Sequence, residues 1–550
     1  MGLADAGAKR LQVGNLHYSK SLRDGKFRGE RRYSRRVDRD CPSPSPQTVE
    51  LKLTETSGVP RLTLVPAGTQ VKDGAANVPS QAVIGPGEAR SIETTGGSVL
   101  ASPELLKENP ASNGSAENGA VAIAPKAGNI RVPEIARSSA LSPINPIEVV
   151  QQNDLARERE FEGYFGKNLD RQQFTQQSIR DTLSSVSHLG IKPAIFYVWA
   201  KADRLELVLL LPDGKNIFKT VPASRETVLQ VAREFTNAVR TPSRANSTDY
   251  KEPAQQLYQW LIAPLRSELE ANNINTLVFS MDAGLRTLPL AALFDGEKFL
   301  IEDYSLALIP SLSLTDTRYA GVKAAEVLAM GASKFPEKYD QNPLPAVPLE
   351  ISTIVGKLWP GSSFLNEKFT LGNLKNQRDR PQYKIIHLAT HGDFQPGGAE
   401  NSYIQFWDTK LRLDQLDQLK LSNPQVELLV LSACTTAVGD EKAELGFAGL
   451  AFQAGVKTAV ASLWYVSDAG TLGLMTEFYQ QLRAAPIKAE ALRQAQLALL
   501  RGEVRLQDGY LHGASNDRAL PLPAELAASG DRDLSHPYYW AAFTAIGSPW

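Results

Sequence analysis

The chain has 550 residues, room for three to four domain-sized units at about 150 residues each. Its 59 Lys and Arg stand against 60 Asp and Glu, a net charge of -1, which excludes a whole-chain polycation and an acidic solvating chain. The two cysteines, Cys41 and Cys434, lie too far apart in sequence for a disulfide framework or a Cys-rich zinc module, no apolar run reaches membrane-spanning length, and the start of the chain lacks the apolar stretch of a secretory signal. These features predict a soluble chain in a reducing, cytoplasmic setting with no membrane contact.

Residues 1–41 read as a basic disordered tail: the first 40 hold 11 Lys and Arg against 5 Asp and Glu, concentrated in "RGERRYSRR". No folded basic face accompanies the run, so nucleic acid is not an expected partner; if it were one, binding would fall steeply with salt and vanish with the tail. Residues 42–147 form a low-complexity linker rich in Pro, Gly, Ser and Ala and without a single aromatic, and only Tyr18, Phe27 and Tyr33 precede residue 161. Within it "VELKLTETSGVPRLTLV" alternates around Ser-Gly as a small hairpin would.

From residue 148 onward, two units are expected: an α/β part over 148–275 and a larger α/β domain over 276–550. "AIFYVWA" and "LELVLLLPDGKNIFKTV" read as strands joined through a Pro-Asp-Gly turn. After a Ser224 cap, Val228, Val231, Phe235 and Val239 recur at helical spacing, and Leu257, Leu261, Leu265 and Leu269 repeat every four residues. The runs "NTLVFS", "LIEDYSLALI", "EVLAMG", "YKIIHLAT", "ELLVLSA" and "TAVASLW" then alternate with helical or loop segments, which predicts an α/β fold with a mainly parallel sheet.

No phosphate-binding loop, dinucleotide fingerprint, HExxH or GxSxG motif is present. Two strand ends remain: "YKIIHLATHGD" runs into His391-Gly392, and "ELLVLSACTT" runs into Cys434. Reactive groups of open α/β sheets gather at the carboxyl ends of strands. A thiolate is a nucleophile, and an imidazole beside it can take the thiol proton and return it to a leaving amine. The backbone amides of Gly392 and Cys434 are candidate oxyanion donors. Taken alone, Cys434 reads as a small buried residue and His391 as a hydrogen-bonded strand terminus, but the two motifs occupy matching positions 43 residues apart. His387 and His391, four apart on a strand, would be separated by about 13 Å, too far to share a metal ion.

In these stretches, together with "LYQWLIAPL", "LRTLPLAALFDGEKFLIEDYSLALIPSLS", "AELGFAGLAFQAGVKTAVASLWYVSDAGT", "FYQQL" and "HPYYWAAFTAIG", the sequence resembles the CHAT domain family of caspase-like cysteine peptidases, related to caspases and separase. The resemblance implies a caspase-like three-layer sandwich, which here follows the long disordered region read from composition. It also implies a catalytic dyad of His391 and Cys434, catalysis without a metal, and no cofactor. Family members are often joined to tetratricopeptide repeats; no such repeat is found upstream, so a separate repeat protein or other activator is an expected partner beside the protein substrate. "GDFQPGGAENSYIQFWD", polar and Gly-rich, reads as a mobile loop near the site.

The carboxylates nearest the motifs are Asp393, Asp440, Glu444 and Asp468. Asp393 and Asp468 are the candidates for a pocket that takes a basic side chain, Asp468 having an alternative role in the first turn of a helix capped by Ser467. The expected function is a cysteine endopeptidase; the alternative is a catalytically silent interaction or scaffold module.

Overall fold

A computed structural model describes residues 10–13, 16–19, 27–29, 49–56, 59–66, 146–169, 172–380, 382–436, 439–513 and 519–550, with backbone alone for the strands before residue 67 and for 433–435. The chain divides into two units, Met1–Pro133 and Glu134–Trp550. In the first, Arg10–Val13 pairs antiparallel with Leu16–Ser19, and Phe27–Gly29, Val49–Thr56 and Val59–Pro66 form a three-stranded sheet. The Val49–Thr56 and Val59–Pro66 strands are the two arms of the hairpin read from alternation, with Thr56 opposite Val59. Residues 67–145, most of the low-complexity stretch, lie outside the described residues.

The second unit is built on one mixed sheet. From one edge its strands run Gly361–Leu365, Glu326–Gly331, Tyr383–Phe394, Leu428–Thr436, Thr458–Ser462, Phe543–Gly547, Ser305–Leu308, Thr276–Ser280, Pro193–Ala200, Leu205–Leu210 and Asn216–Val221. Neighbours are parallel except where Phe543–Gly547 meets Thr458–Ser462 and along the Pro193–Val221 meander at the far edge. Pro193–Ala200 is buried at every position because both its faces are covered. Phe196 and Val198 enter one core, with Val228, Phe235 and Val239 of the helix Arg225–Arg240, while Ile195, Tyr197 and Trp199 enter the other, with Ile179 and Leu183 of the helix Gln176–Ser185. The architecture is therefore a three-layer α/β sandwich around a mostly parallel sheet. Among the described residues no helix is long and apolar enough to cross a membrane.

Local signals explain most of the elements. Ser224 caps its helix by accepting the Thr227 amide at 3.2 Å, and Ser467 caps Asp468–Ala484 by accepting the Gly470 amide at 3.3 Å. Three expectations differ. The every-fourth-leucine segment is broken: Pro264, which has no amide hydrogen, sits in a 3₁₀ turn, Ala263–Leu265, between Lys251–Leu261 and Arg266–Ala271, while all four leucines stay buried. "LIEDYSLALI" is a helical turn, Leu300–Asp303, followed by the strand Ser305–Leu308, because the Glu302 carboxylate accepts the Phe299 amide at 2.7 Å and closes the turn. The Gly-rich segment after His391 is ordered by pairing: Tyr403–Gln405 runs antiparallel to both Gly392-Asp393 and Lys410–Arg412, burying Phe394, Ile404 and Leu411.

The strand Phe543–Gly547, inserted antiparallel between two parallel halves, ends at Gly547 with φ of +95°. A Cβ there would lie 2.4 Å from the Lys457 carbonyl. Gly547→Ala is expected to cost about 2–4 kcal/mol, combining a left-handed backbone with a steric clash. A urea midpoint unchanged from wild type would contradict this close approach.

Candidate active site

Four neighbouring strands deliver their carboxyl ends to one side of the sheet, where a parallel arrangement concentrates side chains outside the core. The strands Tyr383–Phe394 and Leu428–Thr436 are longer than their neighbours: Glu326–Gly331 pairs only as far as Ala389, and Thr458–Ser462 only as far as Val430. Beyond those points the two long strands pair with each other, His391 opposite Ala433, Gly392 opposite Cys434 and Asp393 opposite Thr435. The register shifts between Leu388 and His391, where three steps on the histidine strand match two on the cysteine strand. Such a bulge re-aims the residues that follow it. Thr390, inside the bulge, donates its hydroxyl to the Gln405 carbonyl at 2.6 Å and fixes the distortion to the adjacent strand.

His391 is half-buried between two aromatic rings, Phe335 with centroids 5.3 Å apart and Tyr465 at 6.5 Å and 27°. Its Nε2 lies 2.8 Å from the Asn342 carbonyl oxygen. A carbonyl only accepts, so Nε2 carries the proton and Nδ1 keeps its lone pair for a second partner. Burial holds the imidazole below its ordinary pKa of 6.5, with the Asn342 carbonyl and the Asp393 charge pulling upward. At neutral pH the ring is therefore uncharged and can act as a base. Phe335 and Asn342 come from the loop after Glu326–Gly331, and Tyr465 from the turn after Thr458–Ser462.

Cys434 is placed in backbone register, across from Gly392 and one residue from His391. Gly392 itself has strand partners on both sides, Cys434 and Ile404. Asp393 accepts a hydrogen bond from the Gln395 side-chain amide and contributes its charge to His391. Asp468 opens the helix Asp468–Ala484 behind Tyr465: its Oδ1 accepts the Tyr465 hydroxyl at 2.9 Å and its Oδ2 the Ala346 amide at 3.4 Å. Burial raises its pKa to about 6, with the Glu350 charge adding to the shift and both hydrogen bonds opposing it. The structure thus brings Asp468 to the histidine through Tyr465 and through the same loop that supplies Asn342. Asp440 instead caps the helix Glu441–Ala448, taking the Lys442 and Ala443 amides at 3.0 Å.

His387 takes no part in this cluster. Fully buried, it has Nε2 at 2.8 Å from Glu350 Oε1 and Nδ1 at 3.2 Å from the Tyr479 hydroxyl. Burial, with the Glu350 charge second, raises the Tyr479 phenol far above its usual pKa. Sequence reasoning missed Asn342, Phe335, Thr390 and Tyr465. Asn342 acts through its main chain, which leaves no mark in residue type; Phe335 lies 56 residues before His391 and Tyr465 31 residues after Cys434, and Thr390 adjoins His391 without a chemical signature of its own. The terminal "HPYYW" also gains a role: Tyr538 receives the Trp464 indole N–H on its carbonyl at 3.0 Å and donates its hydroxyl to the Tyr465 carbonyl at 3.2 Å, fastening the turn beside the imidazole.

Two crystal structures of the Saccharomyces cerevisiae separase–securin complex, at 2.6 and 3.0 Å, are similar to the chain at 11% and 10% identity, with TM-scores of 0.36 and 0.40. The similarity covers 68% and 73% of this chain and 31% and 33% of theirs, so the chain spans about a third of the length of the separase chains it matches. No curated protein matches the chain. The family model of the CHAT domain matches residues 251–548, more than half of the sequence and every strand from Thr276–Ser280 to Phe543–Gly547. The chain belongs to the CHAT domain family.

Proposed function

We propose that the chain is a cysteine endopeptidase in which Cys434 is the nucleophile and His391 its base. The Cys434 thiol gives its proton to Nδ1 of His391, and the thiolate attacks the scissile carbonyl. The imidazolium then returns the proton to the leaving amine, and water, deprotonated by the same ring, releases the acyl group from the thioester. The amides of Gly392 and Cys434, opposite each other in the register, are the proposed oxyanion donors. Asp468 is the proposed acidic wall for a basic side chain of the substrate, and Asp393 supports the positive charge that His391 acquires. The observation that carries this reading is the Asn342 carbonyl on Nε2, which sets the tautomer a base needs on a residue next to Cys434 in the register.

The test is the pH dependence of iodoacetamide alkylation at Cys434, followed by peptide mass spectrometry with N-acetylcysteine as reference. A thiol poised by His391 reacts well below the ordinary midpoint of about 8.5, and loses that advantage in His391→Ala. Ordinary reactivity, unchanged by His391→Ala, would favour the silent interaction module instead.

A further inference from the structure

Glu444 is a carboxylate with no place in the chemistry above, yet it is fully buried ten residues after Cys434. It lies on the helix Glu441–Ala448, and both its oxygens face the other half of the sheet. Oε2 accepts the Gly284 amide at 2.8 Å, and Oε1 accepts the Thr287 hydroxyl at 2.9 Å. Burial raises its pKa, while these donors and the Arg286 charge oppose the rise.

The receiving loop, 282–287, follows the strand Thr276–Ser280 and is held from several directions. Asp282 Oδ2 accepts the Ala200 amide at 3.0 Å and the Arg225 guanidinium at 3.1 Å. Arg225 also donates to the Ala283 carbonyl at 2.9 Å and reaches Glu441 at 3.3 Å. Arg286, itself buried, donates to Glu160 of the helix Pro146–Phe165 at 3.2 Å. Gly284 has φ of +84°, a left-handed conformation that strains other residues, and a Cβ there would press on the end of the Leu229 side chain at 2.6 Å. The loop is thus a fixed abutment, and Glu444 is the buried group by which the helix leans on it.

We propose that Glu444 is a positioning residue for the nucleophile, through which loop 282–287 sets the helix Glu441–Ala448 and, with it, the backbone at Cys434. The inference rests on the cysteine peptidase reading and adds to it a role for the first half of the sheet, which carries neither His391 nor Cys434. The coupling is short. From Thr436, the last strand residue, to the helix cap Asp440 is four residue steps, at most about 14 Å of chain. Nor can an amide replace the carboxylate without loss: a glutamine offers one acceptor oxygen where Gly284 and Thr287 need two.

The experiment is the same alkylation, run across pH on the full chain for wild type, His391→Ala, Glu444→Gln, Thr287→Val and the Glu444→Gln/Thr287→Val double variant. Thr287→Val removes the partner hydroxyl from outside the helix with little change of shape, so it serves if Glu444→Gln fails to fold. Each single variant is expected to slow Cys434 alkylation at pH 7 by about 5- to 20-fold and to move its midpoint toward the ordinary thiol value of about 8.5. The double variant is expected to be no slower than the worse single one, because both changes break one contact. A merely structural contribution would lower the melting temperature without moving the midpoint. Variants within twofold of a His391-dependent wild type, with an unmoved midpoint, overturn this inference and leave the peptidase standing. A wild-type thiol indifferent to His391 overturns both.

Discussion

Replacing Cys434 by alanine is expected to abolish peptide cleavage, with a loss on the order of 10⁴-fold or more, while the thermal transition stays that of the wild type. His391→Ala is expected to lose about 10²- to 10⁴-fold, the usual worth of a positioned base. The pH profile adds a sign. Because burial holds the imidazole below 6.5, the acid limb of kcat/KM should lie below that pH. The same shift affects stability: the unfolded histidine binds its proton more tightly than the folded one, so the protein loses stability as pH falls through 6.5 and stops losing it once the folded ring is protonated. Peptide hydrolysis by purified Cys434→Ala at the wild-type rate would end the proposal. Silence of the wild type alone would not, and alkylation then decides whether the dyad is poised.

The second large effect is expected at Asp468. In the proposed pocket its carboxylate meets a cationic side chain only when ionised, and its pKa stands at about 6. For substrates with a basic residue before the cut, KM should therefore rise as pH falls through about 6, by about tenfold per unit below it. Substrates without that residue should show no such limb. Asp468→Asn is expected to raise KM for basic substrates by about 100-fold at pH 7, the scale of a lost charge-assisted contact. The same variant should leave stability at neutral pH little changed. The folded carboxylate, with its pKa raised above the unfolded value of about 3.9, is ionised at a cost at pH 7 that asparagine avoids, but asparagine has one acceptor oxygen where Tyr465 and Ala346 use two. The relief of that charge and the lost acceptor are each worth about 1–2 kcal/mol at this half-buried site and oppose each other. Equal KM values for basic and apolar substrates in wild type and variant, measured across pH 5 to 8, would remove Asp468 from the pocket.

These two effects and the Glu444 bridge describe a divided molecule. The strands from Glu326 to Gly547 carry His391 and Cys434, and the helix Asp468–Ala484 between two of them carries Asp468. The earlier strands carry no candidate catalytic residue but supply the abutment on which the helix after Cys434 rests. The sheet joins the halves through Ser305–Leu308 beside Phe543–Gly547, a junction recorded by a single register pair, Leu308 with Ile546. Side-chain bridges from Glu444 and Arg225 also join the two halves.

The sequence by itself determined the class of the fold and the strand ends that matter. Continuous apolar runs such as "YKIIHLAT" and "ELLVLSA" read as strands buried on both faces, and His391 and Cys434 follow them directly. Helix caps at Ser224 and Ser467 were equally plain, because a cap is a contact between residues two or three apart. What the tertiary structure alone decided depends on partners distant in the chain. The bulge between Leu388 and His391 exists only where two strands are laid together, and no local pattern announces it. The Asn342 carbonyl that sets the histidine tautomer is a main-chain group, identical in every residue type. Glu444 looked like one more acid after a cysteine until the fold placed Gly284 and Thr287, about 160 residues earlier, against its two oxygens. Local chemistry writes elements into a sequence, whereas protonation states and positioning arise where elements far apart in the chain meet in a water-poor interior.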